Sequence, residues 1–378
     1  MKKLKILKTT KMKILPLKYI LVLLWLVPIS CFSNNDMPRG KYTKEKTIKK
    51  EYKVNLDALL KIDNSYGNLN ITSWNQDRVT IEVHIKTTGD NEDKVQRKLD
   101  EITVDFEGNS TMVSATTIFN KDKNSWGWSW GNNNNVNMQV NYTVKIPIKN
   151  SVNLSNDYGS IILDRIDGHA KINCDYGRLE IGELHGRSNQ LSFDYTSKST
   201  IGYINSGKIN ADYSGFTIEK AGNLDIVADY TNATVHTMKD LSYVCDYGKL
   251  EIGEARNVQG NGDYINVSLG TIHGNVDIKS SYGSVRIDEM AADAKNLRIN
   301  TDYTGIKIGY SPAYNFDFEI DTKYAGVSGK DEFEINISNE KSNEKSNQKY
   351  LKGYYGSQNS GNLMTITSEY GGISFNKK

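Results

Sequence analysis

Cysteine, histidine and an excess of either charge are all scarce in this chain of 378 residues, which holds three Cys and five His. One cysteine, Cys31, falls near the N-terminus. Only Cys174 and Cys245 remain for the rest, too few for a disulfide-rich scaffold. The histidines, at 84, 169, 185, 236 and 273, are scattered, and no HExxH, GxSxG or paired-Cys pattern accompanies them. His185 and His273 each precede a glycine and read as turn residues. The sequence therefore offers no catalytic residues, no metal ligands and no cofactor motif. The run GYINSGK, 202 to 208, opens like a phosphate-binding loop, but Ile209 stands where Ser or Thr is needed and no helix signal follows. Lys and Arg total 47 against 45 acids, and seven of the lysines lie in the first 33 residues, leaving 40 bases and 45 acids beyond them. That balance removes the electrostatic ground for a nucleic-acid partner.

A long apolar run is also missing. The longest, YILVLLWLVPI at 19 to 29, is 11 residues and too short to span a bilayer comfortably. Preceded by lysines and followed by SCFSNND, it reads as the core of a secretory signal peptide over 1–33. Met12 opens a more ordinary version of the same segment, so translation can start at Met1 or Met12. Two exits stay open: cleavage after Ser33, or Cys31 as the lipid-modified first residue of a lipoprotein, although Pro28 stands where a lipobox usually carries Leu. The expected address is the periplasm, the outer-membrane surface or the exterior.

What is abundant is repetition. The motif Asp-Tyr, or a close relative, recurs as NDYGSIIL, CDYGRLEI, FDYTSKST, ADYSGFTI, ADYTNATV, CDYGKLEI, GDYINVSL, SSYGSVRI, TDYTGIKI and TKYAGVSG. Its tyrosines, 158, 176, 195, 213, 230, 247, 264, 282, 303 and 324, are spaced 18, 19, 18, 17, 17, 17, 18, 21 and 21 residues apart. Outlying copies stand at Tyr66 and Tyr370. Within a unit such as KINCDYGRLEIGELHG, apolar residues alternate with polar ones on both sides of the glycine, the signature of two short strands joined by a turn. A unit this small cannot bury its apolar face alone; stacked every ~4.8 Å on its neighbours it makes a continuous core. The expected fold is all-β, a parallel β-helix or β-solenoid of roughly 18-residue rungs, right-handed. Cys174 and Cys245 take the same place four rungs apart, about 19 Å by that spacing and beyond disulfide reach, and read as small buried apolar residues.

The expected organisation is a signal peptide (1–33), a β-rich region (34–150) with a first rung near 62–74, the solenoid repeats (151–330), a charged solvated loop (331–353) and a last rung (354–378). The 34–150 region is a cap or an insertion, with strands at VTIEVHIK, ITVDF and VNMQVNYTVKIPI and one short helix near 91–101. There Asp90 or Asn91 can cap, and Val95, Leu99 and Ile102 share a face.

Three features invite a function. The aspartates 157, 175, 194, 212, 229, 246, 263 and 302 form a column that either binds Ca²⁺ or, as expected here, forms turns whose carboxylates accept local backbone N–H bonds. The tyrosine column is either an exposed stripe for sugars or an internal ladder. The segment NSWGWSWGNNNN, 124 to 135, sets Trp126, Trp128 and Trp130 on one face of an extended chain, suited to stacking on sugar rings or to packing back as a hairpin. These three are the candidate ligand-binding residues.

The repeated [ND]-[SD]-Y-G-x-[LI]-x-[IL] unit, with SYGNLNITSW followed by DRVTIEVHIK and the leader, resembles the putative-adhesin family of exported bacterial proteins, many of them from Bacteroidota. Members are similar to auto-transporter adhesin heads. Over about residues 50–378 the resemblance implies a parallel β-solenoid and a non-enzymatic, adhesin-like envelope protein. It engages surface glycans or other envelope components, or alternatively scaffolds other proteins; a carbohydrate-active β-helix enzyme is the remaining reading. No family site residues transfer.

Overall fold

The computed structural model describes residues 40–119, 136–343 and 346–378. The leader with Cys31, and the segment bearing Trp126, Trp128 and Trp130, lie outside the described residues.

Nearly the whole of Gly40–Lys378 is strand, joined in one large, mostly parallel sheet, with a single helix among the described residues. The repeat explains why. In Ala170–Asp175, Ala170, Ile172 and Cys174 face inward while Lys171 and Asn173 face out, the period-two pattern of a strand buried on one side. This strand pairs in parallel with Ser151–Asp157 behind it and Asn189–Asp194 ahead of it, placing Leu154, Ile172 and Leu191 side by side. The second strand of the unit, Leu179–Leu184, does the same between Ile161–Ile166 and Ser199–Asp212. Both ladders thus advance by one period per pairing, and apolar residues of equal phase form columns.

One column runs Ile62, Leu154, Ile172, Leu191, Ile209, Ile226, Tyr243, Gly260, Ile278 and Ile299. Its one large ring faces its one glycine: a Cβ on Gly260 would fall into the buried Tyr243 ring, so a large residue in one repeat is offset by the smallest in the next. Cys174 and Cys245 are free and buried, and burial, the largest influence, pushes both thiols up to about 12.

Antiparallel strands cover both ends. At the N-terminal end Tyr42–Lys53, Arg78–Gly89 and Val136–Pro147 pair antiparallel, and Val136–Pro147 also runs parallel to Leu69–Trp74. The helix is Glu92–Glu101, with Asn91 as its cap: Asn91 Oδ1 accepts the Lys94 N–H at 3.0 Å. Val95 and Leu99 are buried, and Ile102 is buried just past the last turn. Two strands went unread in the sequence. Met112–Phe119 pairs with Ile102–Gly108, while Tyr42–Lys53 is dominated by lysine and carries few apolar residues to betray it. That lysine content suits an outermost strand, whose open edge would otherwise invite another chain.

The charged run expected as a solvated loop is instead a hairpin, Glu334–Asn343 with Ser346–Tyr355, laid antiparallel on Phe316–Lys323. Beneath it Tyr310, Phe316, Phe333, Tyr355 and Phe375 form an aromatic plug. Charge on the outer face of Ser346–Tyr355 does not prevent pairing when its other face turns Leu351 and Tyr355 onto such a cluster. The order of repeats also departs from the sequence. Leu363–Glu369 inserts between Leu297–Asp302 and Phe316–Lys323, pairing in parallel with both, so the last strand of the chain is not the last rung.

Candidate functional site

Each repeat turns between its two strands at the motif tyrosine. Twelve tyrosines, from Tyr66 to Tyr370, hold φ between 48° and 62°. This left-handed conformation costs a residue with a Cβ roughly 1–2 kcal/mol. What offsets it is stacking. From Tyr66 through 158, 176, 195, 213, 230, 247, 264, 282 and 303 to 370 and 324, neighbouring rings lie 4.6–5.2 Å apart and within 13° of parallel. An aromatic pair contributes about 0.5–1.5 kcal/mol beyond the area it buries, and covering about 100 Å² of ring adds roughly 2.5 kcal/mol. Together these exceed the backbone cost. The glycine that often follows has its own cause: a Cβ on Gly177 would strike the Gly159 carbonyl of the preceding repeat.

The ladder is both stacked and exposed, where the sequence posed these as alternatives. The tyrosines are 39–54% exposed as residues, but each inner ring has both faces covered by its neighbours. At the first end, Tyr66 meets the edge of Phe119 at 5.7 Å. Solvent and any ligand therefore meet ring edges and phenol oxygens along the ladder. The flat contact that sugar rings prefer is not offered there.

The aspartates beside it form a second ladder. Asp175 Oδ1 accepts the N–H of Asp194 at 3.1 Å, Asp194 that of Asp212 at 3.1 Å, Asp212 that of Asp229 at 3.0 Å and Asp246 that of Asp263 at 2.6 Å. The expected bond within the turn is in fact a bond to the next repeat. Partial burial, then the neighbouring carboxylates, raise the carboxyls of Asp157 and Asp194 above the usual range. Backbone N–H groups of the next repeat answer the carboxylates of Asp175, Asp194, Asp212 and Asp246. Among the described residues no three His, Cys, Asp or Glu side chains converge as a metal site.

The other candidates disperse. His185 and His273 follow strand ends, His185 beside Glu183 at 2.7 Å and His273 between Asp293 at 2.9 Å and Glu254 at 3.2 Å. The Asp293 hydrogen bond is the main cause that raises the His273 imidazole. The run 202 to 208 lies inside the strand Ser199–Asp212.

A groove of about 550 Å³ was missed in the sequence. Arg187, Gln190, Lys208, Asp225, Asp240 and Gln259 line it, with Leu224 and Leu241 beneath. The signal was present as polar residues recurring at one phase of the repeat, one unit apart. Phase alone could not tell that these positions line one groove.

No family model and no curated protein matches this chain. Among solved structures, the chain is similar to a "putative cell adhesion protein" of Clostridium sporogenes, at 12% identity over 89% of this chain and 100% of that one, TM-score 0.18. It is also similar to a "putative adhesin" of Parabacteroides merdae, at 10% identity over 89% and 98%, TM-score 0.33. A "putative lipid binding protein" of Parabacteroides distasonis matches at 11% identity over 87% and 96%, TM-score 0.28.

Proposed function

We propose that the protein is a non-enzymatic, adhesin-like binding protein of the bacterial cell envelope, exported by its leader, whose paired ladders coil as a right-handed β-solenoid. The observation that carries this reading is the continuous stripe of twelve half-exposed tyrosines. A contiguous exposed aromatic surface marks an interaction site, and tyrosine supplies apolar area and a polar edge at low entropic cost. Support for the coil comes from two ladders that step by one period at each pairing from Ser151–Asp157 to Leu297–Asp302, with the hand expected of parallel crossovers. In this reading Trp126, Trp128 and Trp130 provide the open aromatic faces that the stacked ladder lacks, so they engage glycans, and Cys31 is the lipid anchor if the leader ends there.

A scaffold that binds envelope proteins is the second reading, favoured by the mutual covering of the ladder's ring faces. Retention of the purified protein on a panel of glycans and envelope polysaccharides separates the two. Changing Trp126, Trp128 and Trp130 together to Ala is expected to abolish retention. Unchanged retention rejects the tryptophan site, and a silent panel with a protein captured by crosslinking favours the scaffold.

A further inference from the structure

The long strands Ser199–Asp212, Gly215–Asp229, Asn232–Asp246 and Gly248–Asp263 each serve as both ladders of a repeat, and their pairing is interrupted twice, first at Gly202, Glu219, His236 and Gly253 and again, at a second corner, at Asn205, Gly222, Lys239 and Arg256. The groove lies against this corner. Two polar columns cross it. Gln190, Lys208, Asp225, Ser242 and Gln259 are in-register partners on successive strands, and Ser206, Asn223, Asp240 and Asn257 are partners one step nearer the corner. At ~4.8 Å per strand the columns present a polar group at regular intervals across five repeats.

The groove's charges at Arg187, Lys208 and Asp225 are unspent. On the sheet beyond the tyrosines, outward charges pair locally: Arg286 with Asp288 at 2.6 Å, Lys249 with Glu251 at 2.5 Å, Arg165 with Asp167 at 3.1 Å. Among the described residues Arg187, Gln190, Lys208, Asp225 and Gln259 have no side-chain hydrogen bond or ion pair, though Lys208 and Asp225 are register partners. The far side is fixed in advance, since Asn257 Nδ2 donates to Asp240 at 2.6 Å and Asn257 Oδ1 accepts the Asn275 N–H at 2.8 Å.

We infer that this groove binds an extended acidic oligosaccharide of the uronate class. Its carboxylates meet Arg187 and Lys208, and its hydroxyls meet the amides and carboxylates beyond. A peptide would seek apolar pockets for its side chains, whereas the only apolar groups here are the floor leucines, themselves buried. Mixed donors and acceptors at short, even spacing fit a chain whose every unit carries hydroxyls. Cations confined to one end fit a ligand with carboxylates rather than a neutral one. The groove includes none of the three tryptophans and shares with the proposed function only the class of ligand.

Calorimetric titration of the purified protein with tetragalacturonate and with maltotetraose tests it. The uronate is expected to bind at least about tenfold more tightly, a preference that shrinks with added salt. Arg187→Ala with Lys208→Ala should erase that preference, while Lys208→Arg retains it. All these side chains are exposed, so the fold is expected to survive, and a circular dichroism spectrum checks that. Changing the three tryptophans to Ala should leave uronate affinity unchanged, so failure of the tryptophan site and failure of this one are told apart. No measurable uronate binding, or a preference that persists without Arg187 and Lys208, overturns the inference.

Discussion

From Tyr158 to Tyr303 each ring stacks on the next one in the sequence, but at the C-terminal end Tyr370 slips between Tyr303 and Tyr324. The motif is the same in both regions, as are the left-handed tyrosine and the parallel pairing. What differs is the route between copies. In the centre a short connection delivers the next strand directly on top of the last. After Tyr310 the chain turns through Tyr314 into Phe316–Lys323, leaves a vacant lane, and fills it only with Leu363–Glu369 after the hairpin has been built. A repeat therefore specifies what a rung looks like and leaves open which rung it joins.

The sharpest way to break this comparison is at the inserted strand. Ile366 is fully buried and lies between Ile299 and Ile320. Ile366→Ala is expected to cost about 2–5 kcal/mol in urea unfolding. Hydrogen exchange should show protection lost first at Phe316–Lys323 and the hairpin, while the central repeats stay protected. Simultaneous loss throughout would mean that the inserted strand holds no separate unit.

Next in size is the tyrosine ladder. Tyr230→Ala removes two stacks and is expected to cost about 1–3 kcal/mol, whereas Tyr324→Ala, at the end, removes one and should cost about half as much. Tyr230→Gly loses the same stacks but recovers about 1 kcal/mol of left-handed backbone cost, so it should be milder than the alanine variant. Equal effects from Tyr230→Ala and Tyr230→Gly would show that backbone strain plays no part.

The smallest effect lies in the aspartate column. The folded carboxyl of Asp194 is raised, so its favourable contribution is complete below the unfolded pKa and is lost as pH rises through the folded one. Asp194→Asn keeps an oxygen for the Asp212 N–H while removing the repulsion. It should leave stability unchanged at pH 3.5 and add about 0.2–1 kcal/mol at pH 7, a range typical of charged neighbours across strands. Urea midpoints at the two pH values read this directly; a loss of stability at pH 7 would show the carboxylate's charge to be favourable.

How much of this was legible varied with the range of the interaction. The helix at Glu92–Glu101, a cap at Asp90 or Asn91 and the inward residues of each repeat follow from neighbours a few positions apart, and were readable. Tyr42–Lys53 was not, because a charged outer strand has almost no hydrophobic pattern to announce it. The hairpin at Glu334–Asn343 was masked in the same way, its reason for pairing being Phe333 and Tyr355 against the plug. For the candidate sites, the tyrosine and aspartate columns could be seen as columns, but not that rings would stack outside or that carboxylates would reach the next repeat. Of the groove only the polar recurrence at one phase could be seen, not that those residues line one site.

The sequence by itself determined the period, the all-β character, the phase of the buried residues and the position of each turn. All of these rest on period-two alternation and turn chemistry, which act over a few residues. Only the tertiary structure decided the rest: the place of Tyr370 between Tyr303 and Tyr324, the antiparallel covers at both ends, the meeting of Tyr243 with Gly260, and the gathering of Arg187, Lys208 and Asp225 along one groove. Each depends on residues a whole repeat or more apart, where identical local motifs compete for the same neighbours and packing, rather than pattern, selects among them.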